Sequence, residues 1–245
     1  MTAPSILAPH RFWRLMVSDA MNVSRDPMLI FASAMSLLPA LIFAFWREPI
    51  DEAAFDAFGV TGFMRYVAPA ALVLPAVLIG WVTGFLLLED RDEGTLMAID
   101  VTPIGKTGFL GYRVAVTAVI VVAIVLLFMP AVAPEAGPAL AVVLAALIAG
   151  EASIVAVLLP ALARNKVEGL ALTKVMNLAI LFPLVAIVPS PWRYVAGVVP
   201  SYWIGELMAV SSAAYLNAAL ATALAVVVHA VVAVAAFRLV RRTSG

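Results

Sequence analysis

Apolar residues along this chain fall in long unbroken runs, separated by short polar and charged stretches. Six such runs occupy about 28–46, 63–88, 111–132, 139–163, 174–188 and 213–237. A helix of about 20 apolar residues, rising 1.5 Å per residue, crosses the roughly 30 Å hydrocarbon layer of a bilayer. Five runs reach that length or come close to it, and the run at 174–188 is the shortest. Within the runs apolar positions are continuous. Strands of a membrane barrel would alternate apolar and polar positions instead, and helices satisfy every backbone group within the segment. The pattern therefore predicts an all-α, polytopic membrane protein with six transmembrane helices, forming one transmembrane domain over 1–245.

Two stretches outside the runs carry patterns of their own. In the segment 5–26, Arg11, Arg14, Ser18, Asn22 and Arg25 recur at three- and four-residue steps. Trp13, Met16, Val17 and Ala20 form the opposite stripe. This predicts an amphipathic interfacial helix lying in the plane of the membrane surface. Asp26 and Pro27 then supply an N-cap and a first-turn proline for the first span. The stretch 189–212 is semi-apolar and is broken by Pro189, Pro191, Gly197, Pro200 and Gly205. Its Trp192, Tyr194, Tyr202 and Trp203 suit the headgroup layer, where amphipathic rings settle. It is expected to form short re-entrant helices on the extracytoplasmic side.

Charge orients the spans. Arg11, Arg14, Arg25, Arg91, Lys106, Arg113, Arg164, Lys166, Lys174, Arg238, Arg241 and Arg242 fall on one side of a six-span arrangement, and only Arg47, Arg65 and Arg193 on the other. Basic loops stay in the cytoplasm, so that side and both termini are expected to be cytoplasmic. Composition agrees with a membrane protein: 64% of residues are hydrophobic and 12% charged, and mean hydropathy is +1.09. Soluble domains carry about 25% charged residues. Zero net charge gives no sign of nucleic-acid binding. The absence of cysteine excludes disulfides and thiolate metal sites. His10 and His229 are too far apart in sequence to form a local metal motif. No apolar core with a small-residue cleavage site marks a signal peptide before Asp26.

The densest polar feature is Glu89-Asp90-Arg91-Asp92-Glu93, followed by Gly94-Thr95-Leu96 and, after a few residues, Thr102-Pro103. Five consecutive charges emerge here from a long apolar span. A short helix is expected from about Thr95 to Val101, with Leu96, Ala98 and Ile99 presenting an apolar face and Pro103 ending it. Such a knuckle is a rigid charged lever fastened to two spans. Gly105-Lys106-Thr107 is no phosphate-binding loop, because Asp100 stands where its first glycine belongs and no strand pattern precedes it. Nucleotide binding is therefore not expected at this loop.

The acidic run, Gly94-Thr95-Leu96 and Thr102-Pro103 together resemble the signature of ABC-2-type transporter permeases. Arg25-Asp26-Pro27, the amphipathic N-terminal segment, the six spans and the aromatic region before the sixth extend the resemblance over essentially the whole chain. It is most similar to the fluoroquinolone-export permease group. The resemblance implies a cytoplasmic coupling helix at 91–101, docked on a separate ABC ATP-binding subunit present in two copies. It assigns ATPase coupling to Glu89, Asp90, Arg91, Asp92, Glu93, Gly94, Thr95, Leu96, Ile99, Thr102 and Pro103. It also implies a second permease subunit, the same or homologous, with the substrate path between the two. No cofactor is expected in this chain, since ATP and Mg would be bound by the partner ATPase.

Glu151 and His229 lie deep in the fourth and sixth runs. A carboxylate at bilayer depth costs roughly 2.5–3.5 kcal/mol on insertion scales. Both are candidates to line the substrate path or a permease interface; the alternative is a hydrogen-bonded structural role, with Ser153 or Asn177 as partners. Gly80 and Gly84, spaced as Gly-x-x-x-Gly, allow close helix approach and are dimer-contact candidates. Pro75, Pro130, Pro160 and Pro183 mark kinks or helix ends. A serine hydrolase is disfavoured, because Ser153 lacks flanking glycines, with Glu151 and Val155 in their places. A membrane anchor without transport is the remaining alternative. The apolar interior favours a hydrophobic or amphipathic cargo, drug or lipid-like.

Overall fold

Helix forms over most of the described residues because the apolar runs are rich in Ala, Leu and Val and are continuous, and in a bilayer a helix satisfies every backbone group within its own segment. The computed structural model describes residues 9–102, 104–208 and 215–243, with no strand among them. Pro103, the start of the amphipathic segment at 5–8 and the stretch 209–214 lie outside the described residues. Six helical stretches are long and apolar enough to cross a membrane.

The chain opens with α1 (Pro9–Arg25). Trp13, Val17 and Met21, four residues apart, are all exposed along it. Leu15 and Met16 turn inward onto Leu87, Phe109 and Tyr112. The helix thus rests on the bundle and still offers an apolar stripe to a surface. Asp26 ends α1 and caps the next helix, accepting from the amides of Met28 at 2.9 Å and Leu29 at 3.4 Å. Pro27 takes the first helical position.

The first span is two helices, α2 (Pro27–Met35) and α3 (Leu38–Phe58). They part at Ser36 and Leu37, just before Pro39. Its helix runs well beyond Trp46, where the apolar run stops. Arg47, Glu48, Asp51, Glu52 and Asp56 continue the helix as a polar extension, since helix formation does not require apolarity. Asp51 then accepts from the Met64 amide at 2.7 Å, securing the start of α4 (Phe63–Asp92).

Helix α4 is the axis of the bundle: 89% of its most apolar window is buried, against 67% for α7 (Pro138–Leu162) and 22% for α6 (Gly105–Val132). Its close partner is α7. A Cβ placed on Gly80 would stand 2.8 Å from the Ala152 carbonyl oxygen, and one on Gly84 would stand 2.9 Å from Leu159 Cβ. The glycine stripe therefore faces an internal contact between two spans of the same chain. Between α4 and α6, the Thr83 and Thr117 hydroxyls pair in the buried interior.

The fifth span begins earlier than its apolar run. It consists of α8 (Lys166–Met176), followed by 3₁₀ turns at Asn177–Ile180 and Phe182–Ile187. Asn165 accepts from the Glu168 amide at 2.9 Å, and Glu168 reaches back to the Arg164 amide at 2.8 Å. This reciprocal cap starts the helix ahead of the apolar window. The segment before the sixth span forms a 3₁₀ stretch, Pro191–Val198, and α9 (Tyr202–Leu207). Trp192 is 80% exposed, whereas Tyr202 and Trp203 are buried. The last two rings serve packing, with the Trp203 indole donating to the Gly197 carbonyl at 2.9 Å. Gly205 lies so close to Pro183 that a Cβ would meet its carbonyl oxygen at 2.1 Å. The sixth span is α10 (Ala218–Thr243).

Candidate functional site

The acidic run is not a loop. Glu89, Asp90, Arg91 and Asp92 complete the last turn of α4, and Glu93 follows as its C-cap. Three of these side chains are used within the molecule. The Arg91 guanidinium donates to the Pro160 carbonyl at 2.9 Å and the Ala163 carbonyl at 2.7 Å. It thereby satisfies the open C-terminal end of α7, where a cation is favoured. Glu89 accepts from Lys166 at 3.0 Å, and Lys166 also reaches Asp26 at 3.4 Å. Asp90 pairs with Arg113 at 2.8 Å, and Arg113 with Asp19 at 2.9 Å. Tyr112 donates to Asp19 at 3.1 Å, and the Arg113 guanidinium lies over the Phe109 ring.

Together these contacts bind α1, α2, α4, α6, α7 and α8 at one end of the bundle. The partners that matter, Asp19, Arg113, Lys166 and the α7 carbonyls, are remote in sequence from the acidic run. Nothing local in the sequence marks them as partners of the acidic run: Asp19 lies in the amphipathic segment, Arg113 near the start of an apolar run, and Lys166 between Arg164 and Glu168. Burial acts to raise the Asp19 carboxyl, while Arg113 and the Tyr112 hydroxyl oppose it, and the balance lies above the usual range. Burial also acts to raise Asp26. There the amides of Met28 and Leu29, with Lys166, outweigh it and hold the carboxyl below the usual range.

Beyond this network stands α5 (Thr95–Asp100). Gly94, at φ 73°, makes the left-handed turn that reverses the chain out of α4. The apolar residues of α5 divide between two faces. Leu96 and Ile99 pack down onto Leu87, Phe109 and Tyr112. Met97 is 70% exposed and Val101 88% exposed, and Ala98 lies in the open with them. Asp92, Glu93 and Asp100, next to or within α5 in the chain, are exposed too. The outward apolar residues are thus Met97, Ala98 and Val101, while Leu96 and Ile99 fasten the knuckle to its base. The sequence pattern does not separate the two sets, because a six-residue helix is too short to establish a face. Thr102 closes the turn by donating to the Ile99 carbonyl at 2.6 Å; Pro103 lies outside the described residues. Beside the knuckle an open cavity of about 530 Å³ is lined by Asn22, Arg25, Asp26, Glu89, Asp90 and Glu93.

Deeper in the bundle, Glu151 and His229 face each other across α7 and α10, with Oε2 and Nε2 3.8 Å apart. Both side chains are buried within the chain. The sequence alternatives for a partner are not used: Ser153 donates to the Ala149 carbonyl of its own helix at 2.8 Å, and no hydrogen bond joins Asn177 Oδ1 to Glu151. Toward the opposite end lies another buried polar contact, where Arg193 meets Glu206 at 3.0 Å and Tyr194 and Tyr202 donate to the same carboxylate. It ties the 3₁₀ stretch Pro191–Val198 to α9. Among the described residues no group of three or more His, Cys, Asp or Glu is placed to hold a metal ion.

No solved structure is significantly similar to this chain. A fluoroquinolones export permease protein, MT2760, of Mycobacterium tuberculosis (strain CDC 1551 / Oshkosh) is 29% identical over 204 residues, 80% of each chain. The fluoroquinolones export permease protein Rv2686c of the H37Rv strain matches to the same extent. The family described as fluoroquinolones export permease protein Rv2686c-like matches residues 19–237, a span from the middle of α1 to the last turns of α10 that includes every element of the charged end. With six membrane-crossing helices and a match over nearly its whole length, the chain is a multi-pass membrane protein and belongs to the Rv2686c-like permease family.

Proposed function

We propose that this chain is the permease subunit of an ATP-binding-cassette exporter, carrying a hydrophobic or amphipathic drug-like substrate. The names of its relatives supply the cargo class, since both are called fluoroquinolones export permeases. Two permeases, identical or homologous, enclose the path, and two separate ATP-binding subunits hold ATP and Mg. The charged end faces the cytoplasm together with both termini, following the excess of Lys and Arg there.

The observation that carries this reading is the two-faced α5. Its inner residues, Leu96 and Ile99, join it to α4, α6 and α1. Its outer residues, Met97 and Val101, are apolar and exposed, and Asp92, Glu93 and Asp100, within a few positions in the chain, are exposed as well. An apolar centre with a charged rim is the composition of a protein contact. A push on this knuckle passes into α4, the bundle axis, and through Arg91 into α7. Glu93→Arg reverses a rim charge, and Met97→Asp removes the apolar centre. Each is expected to reduce co-purification with the ATP-binding subunit and drug export by the complex, with membrane insertion intact. Unchanged co-purification and unchanged export in both variants would refute the docking role.

A further inference from the structure

The Glu151–His229 contact takes no part in the proposed docking, and its geometry carries a consequence of its own. His229 Nδ1 lies 2.8 Å from the Ala225 carbonyl oxygen, one turn back on α10. A carbonyl oxygen only accepts, so Nδ1 bears the hydrogen. In a neutral ring Nε2 is then a bare lone pair. Nε2 faces Glu151 Oε2 at 3.8 Å, and neither atom has another hydrogen-bond partner. An ionised Glu151 and a neutral His229 would thus set acceptor against acceptor and bury one uncompensated negative charge, which is costly away from water. One added proton removes both problems, as carboxylic acid with imidazole or as carboxylate with imidazolium. A second proton would bury a positive charge instead.

No neighbouring group supplies the missing countercharge. On α7 the nearest charged residues are Glu135, ahead of the helix, and Arg164, beyond its end. On α10 they begin only at Arg238. Along α4 none occurs between Arg65 and Glu89, and along α6 none after Arg113. From α8, Lys166 is held by Glu89 and Asp26, Glu168 bonds the Arg164 amide, and Lys174 is exposed. From α9, Glu206 is held by Arg193, Tyr194 and Tyr202.

We propose that Glu151 and His229 form an intramembrane proton-binding site that holds one proton while α7 and α10 are packed together and releases it to water when they part. The site makes separation of these spans proton-linked, whatever the cargo. Since the packed state binds a proton that the water-exposed pair gives up at high pH, stability should fall as pH rises through the release.

The test uses the full chain in lipid nanodiscs, without substrate or ATPase, so its outcome is separate from that of the export reading. His10→Gln leaves His229 as the sole histidine, allowing its ring to be followed by ¹⁵N resonance. Infrared difference spectra against Glu151→Gln report the Glu151 carboxyl. The expected result is one proton shared by the pair, lost in a single titration seen at both residues. Thermal stability should decline with pH over the same interval, and that decline should be lost in Glu151→Gln. A neutral His229 beside an ionised Glu151 at every pH would overturn the proposal, as would an unchanged stability profile in Glu151→Gln. If Glu151→Gln does not fold, the resonance titration of His229 in the His10→Gln chain decides alone.

Discussion

Arg113 is 3% exposed and lies 2.9 Å from Asp19 and 2.8 Å from Asp90. Removing its guanidinium strands two partly buried carboxylates, and breaking a buried pair from one side costs about 3–5 kcal/mol. Arg113→Gln is therefore expected to lower the thermal unfolding temperature in detergent markedly. Restoring balance by adding Asp90→Asn should recover part of the loss, and the double-mutant cycle measures the coupling. Arg113 carries no local signal in the sequence beyond its place among the first residues of an apolar run. The acidic run is conspicuous, yet its members separate only in three dimensions: Glu89, Asp90 and Arg91 face inward to partners, while Asp92 and Glu93 face out.

The pairing of α4 with α7 rests on glycine. Gly80 and Gly84 let the two backbones approach until a Cβ on either residue would clash at 2.8–2.9 Å. Gly84→Leu is expected to destabilise the fold by about 1–3 kcal/mol or more, as overpacking does, read as a lower unfolding temperature. Its oligomeric state in mild detergent should not change, because the glycines meet α7 of the same chain. A Gly-x-x-x-Gly spacing announces close approach in any membrane helix, but it cannot say whether the approaching helix is internal. Helix ends show a similar division. The Asp26-Pro27 start of α2 is visible in sequence because its capping chemistry is local. The start of α8 at Lys166 is hidden under three charges, although Asn165 and Glu168 have the spacing of a reciprocal cap.

At the scale of the whole molecule, the charged network gathers the ends of six helices on one side, and Arg47, Arg65 and Glu135 line a cavity on the other. The chain has no cysteine, so single replacements report sidedness cleanly. A membrane-impermeant thiol reagent applied to intact cells should label Asp56→Cys, in the exposed tail of α3. It should label Thr102→Cys, beside the knuckle, only after the cells are opened. The reverse pattern would invert the orientation proposed here and place the knuckle out of reach of any cytoplasmic ATPase.

The sequence by itself determined that the chain is helical and membrane-embedded, where its apolar runs lie, and that a charged knuckle follows the second span. These properties depend on length, composition and neighbours within a turn or two, which the bilayer as solvent converts directly into helices. Only the tertiary structure decided which side chains meet. It set Glu151 against His229 some eighty positions away, turned Leu96 and Ile99 inward and Met97 outward, and gave the glycine stripe to α7. Rotation of each helix about its axis depends on packing against neighbours. In helices apolar on every side the sequence carries little record of that rotation.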